Sequence, residues 1–177
     1  MSCPVVFLDR DGVLVEEIVR ADGQAYAPTS FADFKLVPEA AAEVDRLRRA
    51  GFACVVVTNQ PEIARGLLDP EVLESMHGHL RANVAVDGIM VCPHTDADAC
   101  NCRKPRPGML TAAASQLDLQ LTNSYLVGDR WRDIDAGRAV GCSTVLLERS
   151  YSNCATADAR VATLTEAVDW ILARSGS

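Results

Sequence analysis

Short apolar runs alternate along this chain with segments whose apolar residues recur at helical spacing. The runs predict buried strands at residues 5–8, 53–57, 88–91, 125–127 and 144–147. The other segments predict helices at residues 39–49, 70–83, 107–117, 133–140 and 164–173, and residues 10–37 form the one long irregular segment. This alternation is typical of an α/β fold built on a parallel sheet.

The length of the chain, 177 residues, is about that of one domain. The sequence contains no internal repeat, no low-complexity tract and no linker-like stretch that would separate two units. We therefore expect a single domain over residues 1–177, folded around one hydrophobic core.

Charge and hydrophobicity restrict the partners of the protein. The net charge is −7, with Arg and Asp interspersed, which argues against a general affinity for nucleic acid. No apolar run approaches the roughly 20 residues of a membrane span. The first residues, MSCPVVFLDRDG, lack the basic stretch that begins a signal peptide. We expect a cytoplasmic monomer, with neither nucleic acid nor a membrane as its partner.

The seven cysteines are unevenly spaced, and three of them cluster. Cys92, Cys100 and Cys102 lie together with His94, whereas Cys3, Cys54, Cys142 and Cys154 are scattered. An odd number of cysteines with one tight cluster favours a metal over a disulfide framework. The stretch CPHTDADACNC therefore predicts a zinc site, and the anion-binding pair Arg103 and Lys104 follows it directly.

Polar residues end most of the predicted strands. The first strand runs into Asp9-Arg10-Asp11-Gly12, the second into Thr58-Asn59-Gln60, the third into the cysteine loop and the fourth into Gly128-Asp129-Arg130. In open parallel sheets, ligands bind beyond the carboxyl ends of the strands. These four polar ends are expected to converge on one crevice.

The pair Asp9 and Asp11 indicates phosphoryl chemistry in that crevice. Their spacing of two residues projects both side chains to the same side of an extended chain, where a cation must relieve their repulsion. Mg²⁺ suits such a site, and Asp129 supplies a further oxygen ligand. Asp9 is then the candidate nucleophile and Asp11 the candidate general acid and base. Thr58 and Lys104 are the candidates for holding the transferred phosphoryl group.

Four segments together carry a resemblance to a known family. FLDRDGVL, VVVTNQ, CRKPRPGM and LVGDRWRDI, in this order, resemble the four motifs of the haloacid dehalogenase (HAD) superfamily of phosphatases. The chain is more narrowly similar to subfamily IIIA, the heptose bisphosphate phosphatase and histidinol phosphatase branch, whose zinc loop reads C-x-H, a gap and C-x-C-R-K-P. The match runs over residues 7–147 and therefore covers most of the chain.

The resemblance implies a Rossmann-like three-layer α/β/α sandwich with a central parallel sheet, a zinc-binding loop and no large cap domain. It implies that Asp9, the backbone carbonyl of Asp11 and Asp129 bind Mg²⁺, and that Asp133 fixes Lys104 or a metal-bound water. Asp133 has a second interpretation, as a residue that favours the dipole of its own helix. The expected substrate contacts are Asn59, Arg103, Arg130, Tyr26 and Arg20.

The expected activity is hydrolysis of a sugar phosphate through an aspartyl-phosphate intermediate, first of all at the 7-phosphate of a heptose 1,7-bisphosphate. Histidinol phosphate and other small phosphorylated metabolites are alternative substrates, and a zinc-stabilised binding module is an alternative of another class. The branch reads TNQSGIARG where this chain reads TNQPEIARG, so Pro61 and Glu62 distinguish its substrate loop. We expect His77 and His79 at the surface, Trp131 in packing and Trp170 in the core.

Overall fold

Six parallel strands form the central sheet of the protein. The structure is a computed structural model, and it describes residues 3–152 and 156–175. Cys154 lies outside these residues, and the single domain over residues 1–177 stays a prediction. The strands are β1 (Cys3–Leu8), β2 (Ile18–Val19), β3 (Ala25–Tyr26), β4 (Ala53–Asn59), β5 (Gly88–Cys92), β6 (Leu119–Gly128), β7 (Ser143–Leu147) and β8 (Ala159–Val161). The sheet order is β5-β4-β1-β6-β7-β8, and β2 and β3 form a separate antiparallel hairpin.

Helices cover both faces of this sheet. They are α1 (Ala40–Arg49), α2 (Pro70–Asn83), α3 (Gly108–Gln116), α4 (Trp131–Ala139) and α5 (Leu164–Ser175). Apolar side chains of α1, α2 and α5 share one core with the sheet, and those of α3 and α4 lie in cores on the opposite side. The three-layer α/β/α arrangement predicted from the sequence is therefore confirmed. None of the helices in the described ranges combines the length and the apolar character needed to cross a bilayer.

The central strand β1 shows why the apolar runs become strands. Val6 and Leu8 pack into the core beneath α1, α2 and α5, while Val5 and Phe7 pack into the core beneath α3. All four side chains are fully buried, as expected for a strand with helices on both faces. Full burial of each side chain contributes roughly 1.5–3 kcal/mol to stability, so the apolar run fixes β1 at the centre of the sheet. Asp9 follows directly after this run.

Helix α2 begins and ends at signals that are visible in the sequence. The side chain of Asp69 accepts a hydrogen bond from the backbone N–H of Glu71 at 2.7 Å, and Pro70 occupies the first turn. Both features favour a helix start. The predicted helix at residues 70–83 is confirmed at both ends, and the other four predicted helices are confirmed with ends that differ by at most two residues.

Strand β6 is longer than predicted. It begins at Leu119 rather than at residue 125, because Cys3 and Pro4 of β1 pair with Leu119 and Gln120 before a register shift. Its first five residues, LQLTN, are partly or fully exposed and mix apolar with polar side chains, so they lack the continuous apolar run of residues 125–127. Edge strand β8 was also missed, since its three residues become a strand only by pairing with β7.

Two further expectations are corrected by the structure. The irregular segment at residues 10–37 contains the hairpin of β2 and β3 and a short 3₁₀ helix, Phe31–Asp33. His77 is not at the surface: it is buried inside α2, where it faces Arg10, whereas His79 is exposed as expected. Trp131 packs against the small core of Ile134 and Leu146, as expected, and Trp170 is partly buried and packs against the large core.

Candidate active site

A cleft of about 330 Å³ opens at the carboxyl edge of the sheet, where the polar strand ends meet. Asp9 follows β1, Asn59 ends β4, and Asp133 lies in the first turn of α4 after β6. Parallel strands place their carboxyl ends at one edge, so residues far apart in sequence share this cleft. Of the predicted site residues, those bordering it are Asp9, Asp11, Tyr26, Asn59, Arg103, Lys104, Arg130 and Asp133.

Lys104 lies at the centre of the site and is almost completely buried. Its ammonium donates to the carbonyl oxygen of Val57 at 2.7 Å and to Oδ1 of Asp9 at 2.9 Å, and it lies 2.6 Å from Oδ1 of Asp133. Burial lowers the pKa of Lys104, but the carboxylates of Asp133 and Asp9 outweigh that effect and raise it overall. The three donors of the ammonium are thus matched by three acceptors.

The amide side chain of Asn59 fixes the backbone at Lys104. Its Nδ2 donates to the carbonyl oxygen of Lys104, and its Oδ1 accepts from the N–H of Lys104, both at 3.1 Å. This two-way pairing joins the end of β4 to the loop that follows the cysteines. Asn59 therefore acts on the position of Lys104 in addition to bordering the cleft.

Asp9, Asp129 and Asp133 form a cluster of buried carboxylates, each with an oxygen within 4.8 Å of the others. Burial and then Asp133 raise the pKa of Asp9 to about 7, against the opposing effect of Lys104. Burial and then Asp9 raise the pKa of Asp129 well above its ordinary value. Tyr151 donates to Oδ2 of Asp129 at 2.7 Å, whereas Oδ1 of Asp129 has no hydrogen-bond partner among residues 3–152 and 156–175. The cluster has the composition of a site for a hard cation.

Two glycines allow these carboxylates to approach the backbone. Gly12 has a φ of +84°, and a Cβ there would lie 2.3 Å from Oδ2 of Asp129. A Cβ at Gly128 would lie 2.2 Å from the Cβ of Asp133. Any larger residue at either position would displace an acidic side chain, which explains the glycines that follow Asp11 and precede Asp129.

Glu17 is a member of the site that sequence analysis missed. Its side chain is 6% exposed, and its Oε1 accepts from Nη2 of Arg130 at 3.2 Å. Within the described part of the chain, its Oε2 has no hydrogen-bond partner. Burial raises the pKa of Glu17, and Arg130 opposes that shift. No pattern around Glu17 predicted this position, because the hairpin that brings it to the cleft was itself unpredicted.

Asp11 borders the cleft but is hydrogen-bonded on its other side. Its Oδ1 accepts from Nε of Arg10 at 2.9 Å, and its Oδ2 accepts from Nη2 of Arg10 at 3.0 Å and from Nε2 of Gln60 at 2.8 Å. Gln60 also donates to Oγ1 of Thr58 at 2.8 Å. Arg10 and Gln60 are fully buried and were not predicted as site residues, although both lie inside the motifs that end β1 and β4.

Tyr151 was missed for a different reason. The segment after β7 is a fifth polar strand end, and it reads Glu148-Arg149-Ser150-Tyr151. The sequence analysis predicted only the first four strand ends as parts of the crevice. Besides the contact of Tyr151 with Asp129, Ser152 donates to the backbone carbonyl of Asp129 at 2.7 Å. The polar residues of this segment are the sequence feature that could have identified Tyr151.

The four predicted zinc ligands lie together beside the cleft. Sγ of Cys92 lies 3.6 Å from Nδ1 of His94 and from Sγ of Cys100, and 3.1 Å from Sγ of Cys102. Nδ1 of His94 lies 3.3 Å from Sγ of Cys102. Four such ligands around one zinc ion are separated by roughly 3.6–3.8 Å, so these side chains are already close to a tetrahedral arrangement. The group could hold a metal ion.

Arginine side chains surround the mouth of the cleft. Arg103 donates to Oδ1 of Asp96 at 2.8 Å and to the carbonyl oxygen of His94 at 3.2 Å, so it is tied to the cysteine loop. Arg132 donates to the same Oδ1 of Asp96 at 2.7 Å. Arg20 is not among the described residues that border the cleft; its guanidinium lies 4.2 Å from the ring centre of Tyr26, which does border it.

The loop after β4 closes another side of the cleft. Pro61, Glu62 and Arg65 all border it, and Glu62 lies 3.6 Å from Arg65. Pro61 has no backbone N–H to offer a ligand, and Glu62 brings a negative charge. Pro61 and Glu62, the two residues that differ from the branch sequence, therefore lie at the cleft itself.

Comparisons with known proteins agree with the resemblance drawn from the motifs. A family model described as HAD-hydrolase-like matches residues 101–171. The chain is 40% identical to the D-glycero-β-D-manno-heptose-1,7-bisphosphate 7-phosphatase of Pseudomonas aeruginosa over 153 residues, which cover 84% of this chain and 83% of that protein. It is 34% identical to the D-glycero-D-manno-heptose-1,7-bisphosphate 7-phosphatase of Thermosynechococcus vestitus over 97% of this chain and 96% of that protein.

A solved structure has the same fold. The D,D-heptose 1,7-bisphosphate phosphatase from B. bronchiseptica, complexed with magnesium and phosphate, superposes with a TM-score of 0.81 and 30% identity over 97% of this chain and 99% of that one. The matches in sequence and in structure both span most of the chain. This protein therefore belongs to the HAD-like hydrolase family that includes the heptose bisphosphate phosphatases.

Proposed function

We propose that this protein is a Mg²⁺-dependent phosphatase that acts through an aspartyl-phosphate intermediate formed on Asp9. The observation that carries the proposal is the cluster of Asp9, Asp129 and Asp133 at the cleft, in which Asp9 and Asp133 also contact the ammonium of Lys104. Burying three carboxylates together is costly unless cations neutralise them. A phosphatase gains from this arrangement because its catalysis depends mainly on charge stabilisation and positioning.

The charge balance of the site supports a divalent cation. Three side-chain cations approach the acidic groups: Arg10, Lys104 and Arg130. Five buried carboxylates face them, and their full ionisation leaves two negative charges for a divalent ion to neutralise: Asp9, Asp11, Glu17, Asp129 and Asp133. The unpartnered Oδ1 of Asp129 is a ready ligand atom. Asp9, Asp129 and the backbone carbonyl of Asp11 would hold the ion, which when bound supplies charge neutralisation at the phosphoryl oxygens.

The proposed reaction has two steps. In the first, an oxygen of Asp9 attacks phosphorus and the ester P–O bond breaks, while Asp11 donates a proton to the leaving oxygen. In the second, water attacks the aspartyl phosphate, Asp11 accepts the water proton, and the P–O bond to Asp9 breaks to release inorganic phosphate. Thr58 and Lys104 hold the phosphoryl oxygens, and Lys104 exchanges its contact with Asp9 for one of these oxygens when Asp9 bonds to phosphorus. Asp133 keeps Lys104 in place through their 2.6 Å contact.

The proposed substrate is a heptose 1,7-bisphosphate, cleaved at its 7-phosphate. Support comes from the names of relatives that are 34–40% identical over most of the chain. Arg65, Arg103 and Arg130 border the cleft and offer charge to a second phosphate group. Asn59 and Tyr26 complete the proposed contacts, with Arg20 acting through Tyr26. Histidinol phosphate remains the alternative substrate.

A structural role is proposed for a second metal. Zinc bound by Cys92, His94, Cys100 and Cys102 would have four protein ligands and no open position for chemistry. It would hold the loop from which Arg103 and Lys104 extend into the cleft. Cysteines kept as thiols for metal binding, rather than paired in disulfides, are typical of reducing compartments, and this supports the proposed location in the cytoplasm. The monomeric state also remains a prediction.

Phosphate release from a panel of substrates tests the proposal. The panel, assayed with Mg²⁺, contains both anomers of heptose 1,7-bisphosphate, histidinol phosphate, fructose 1,6-bisphosphate and an aryl phosphate. We expect one heptose anomer to exceed the other substrates in kcat/KM by about a hundredfold, or about 2.7 kcal/mol in transition-state binding. Equal, weak activity on all of them would reject the heptose assignment.

A variant tests the chemistry separately from the substrate. Asp9→Asn keeps the shape of the side chain but removes the nucleophile, so turnover should fall to background while the circular dichroism spectrum is unchanged. Asp33→Asn, on the exposed 3₁₀ turn Phe31–Asp33, is the control and should retain full activity. Phosphatase activity in Asp9→Asn would overturn the covalent mechanism.

A further inference from the structure

Arg10 is enclosed between the site and helix α2. Its side chain is fully buried, and two of its nitrogens donate to the two oxygens of Asp11 at 2.9 and 3.0 Å. The remaining terminal nitrogen, Nη1, lies 3.2 Å from Nε2 of His77 on α2. The ring of Phe34 lies against the guanidinium, with 5.5 Å between the Arg10 Cζ and the ring centre. A guanidinium without access to water needs such partners on every side.

His77 is suited to accept a hydrogen bond from Arg10. A guanidinium only donates, so Nε2 of His77 must be the acceptor, which requires a neutral imidazole. Burial and then the charge of Arg10 lower the pKa of His77 to about 4, so the imidazole is neutral at physiological pH. The ring is therefore fixed in one protonation state and one direction.

The contacts form a chain from α2 to the reacting groups. His77 holds Nη1 of Arg10, and the two-pronged contact of Arg10 then sets the orientation of Asp11. Gln60 adds a third donor to Asp11 at 2.8 Å. These three donors hold the two oxygens of Asp11 in fixed directions, so the carboxylate is oriented for the proton that it accepts when water attacks the aspartyl phosphate.

We propose that His77 is a positioning residue for the second half of the reaction, in which it holds Arg10 so that Asp11 is oriented as the base. The inference rests on the proposed function. Water loses its proton to Asp11, the new P–O bond forms, and the bond between phosphorus and Asp9 breaks. His77 itself touches neither substrate nor phosphorus. Its removal should slow this hydrolysis and leave formation of the aspartyl phosphate largely intact.

An aryl phosphate isolates this half-reaction, because nitrophenolate leaves without needing a proton from Asp11. With 4-nitrophenyl phosphate and saturating Mg²⁺, kcat of His77→Leu should fall between about 10-fold and about 100-fold, less than the loss of a general base itself. Rapid mixing should show a burst of nearly one nitrophenolate per protein molecule, and acid-quenched samples should carry one phosphoryl group by intact mass. KM should fall together with kcat, so that kcat/KM changes less than twofold, and the Mg²⁺ dissociation constant should also change less than twofold.

Matched variants separate positioning from folding. His77→Gln replaces the acceptor nitrogen by an amide oxygen, so it should recover most of the lost turnover. His79→Gln changes an exposed imidazole on the same helix and should behave as the unmodified protein. If His77→Leu fails to fold, His77→Gln and His77→Asn, whose acceptors differ in reach, should still differ in kcat.

Several results would overturn the inference. They are an unchanged kcat in folded His77→Leu, a loss of kcat without phosphoenzyme accumulation, or equal kcat in His77→Gln and His77→Asn when the leucine variant does not fold. A failure of the proposed function looks different, because Asp9→Asn would then retain activity and no variant would accumulate a phosphoenzyme.

Discussion

Oδ1 of Asp133 lies 2.6 Å from Nζ of Lys104, and each side chain is only 2% exposed. The second oxygen of Asp133 accepts a hydrogen bond from the backbone N–H of Arg130 at 3.0 Å. One carboxylate therefore caps the start of α4 and also fixes a lysine from the loop after the cysteines. The two interpretations of Asp133, as a helix-start residue and as a partner of Lys104, are compatible because each uses a different oxygen.

The first prediction concerns this ion pair. Asp133→Asn should lower both turnover and stability, because Lys104 loses a buried charge partner and breaking such pairs costs about 3–5 kcal/mol. The free energy of unfolding in urea, measured with and without Mg²⁺, checks this expectation. Asp135→Asn, an exposed position on the same helix, is the control and should stay within about 0.5 kcal/mol of the unmodified protein.

Asp129→Asn should have the opposite effect on the metal-free protein. Asp129 faces other carboxylates and has a raised pKa, so removing its charge relieves repulsion and should raise the melting temperature in EDTA. The same variant should lose the stabilisation that added Mg²⁺ gives, since a ligand atom is gone. Scanning calorimetry at several Mg²⁺ concentrations tests both statements. Asp118→Asn, exposed in the turn after α3, should show the normal Mg²⁺ response, and an Asp129→Asn response equal to it would contradict the assigned ligand.

The pH dependence of stability should reveal the buried His77. Its pKa is lowered to about 4 in the folded protein from an ordinary value of 6.5, first by burial and then by Arg10. Between these two values the unfolded chain binds the proton more readily, so stability is lost as the pH falls from about 6.5 to about 4. His77→Gln lacks this effect. The difference in unfolding free energy between the unmodified protein and His77→Gln should therefore shrink over that window, and parallel curves would be the contrary result.

Loss of a thiol from the cysteine loop should remove the bound zinc. Cys100→Ser is expected to reduce the zinc content from about one ion per chain to near zero and to lower the melting temperature, because metal binding and folding of the loop are coupled. Metal content is measured by plasma mass spectrometry after extensive dialysis. Cys3→Ser, at the start of β1 and outside the cluster, should keep its zinc. An unchanged zinc content in Cys100→Ser would remove the structural role proposed for the site.

The sequence predicted the strand and helix pattern where apolar periodicity was strong. Helix α2 was predicted at both ends because Asp69 and Pro70 mark its start. Strand β8 and the hairpin of β2 and β3 were missed, since two or three residues carry too little pattern and are defined by their partners. Glu17 was missed for the same reason, because the unpredicted hairpin is what brings it to the cleft.

Local sequence determined which residue types stand at the strand ends: the spacing of Asp9 and Asp11, the glycines beside Asp11 and Asp129, and the cysteine cluster. These features act over a few residues, where backbone geometry and side-chain chemistry are enough. Only the tertiary structure decided that Arg10 is buried against His77, that Tyr151 donates to Asp129, and that two oxygens of Asp133 serve two purposes. Those contacts join residues up to 67 positions apart, so no local pattern encodes them. Their strength depends on the exclusion of water by the packed sheet and helices, which is a property of the whole fold.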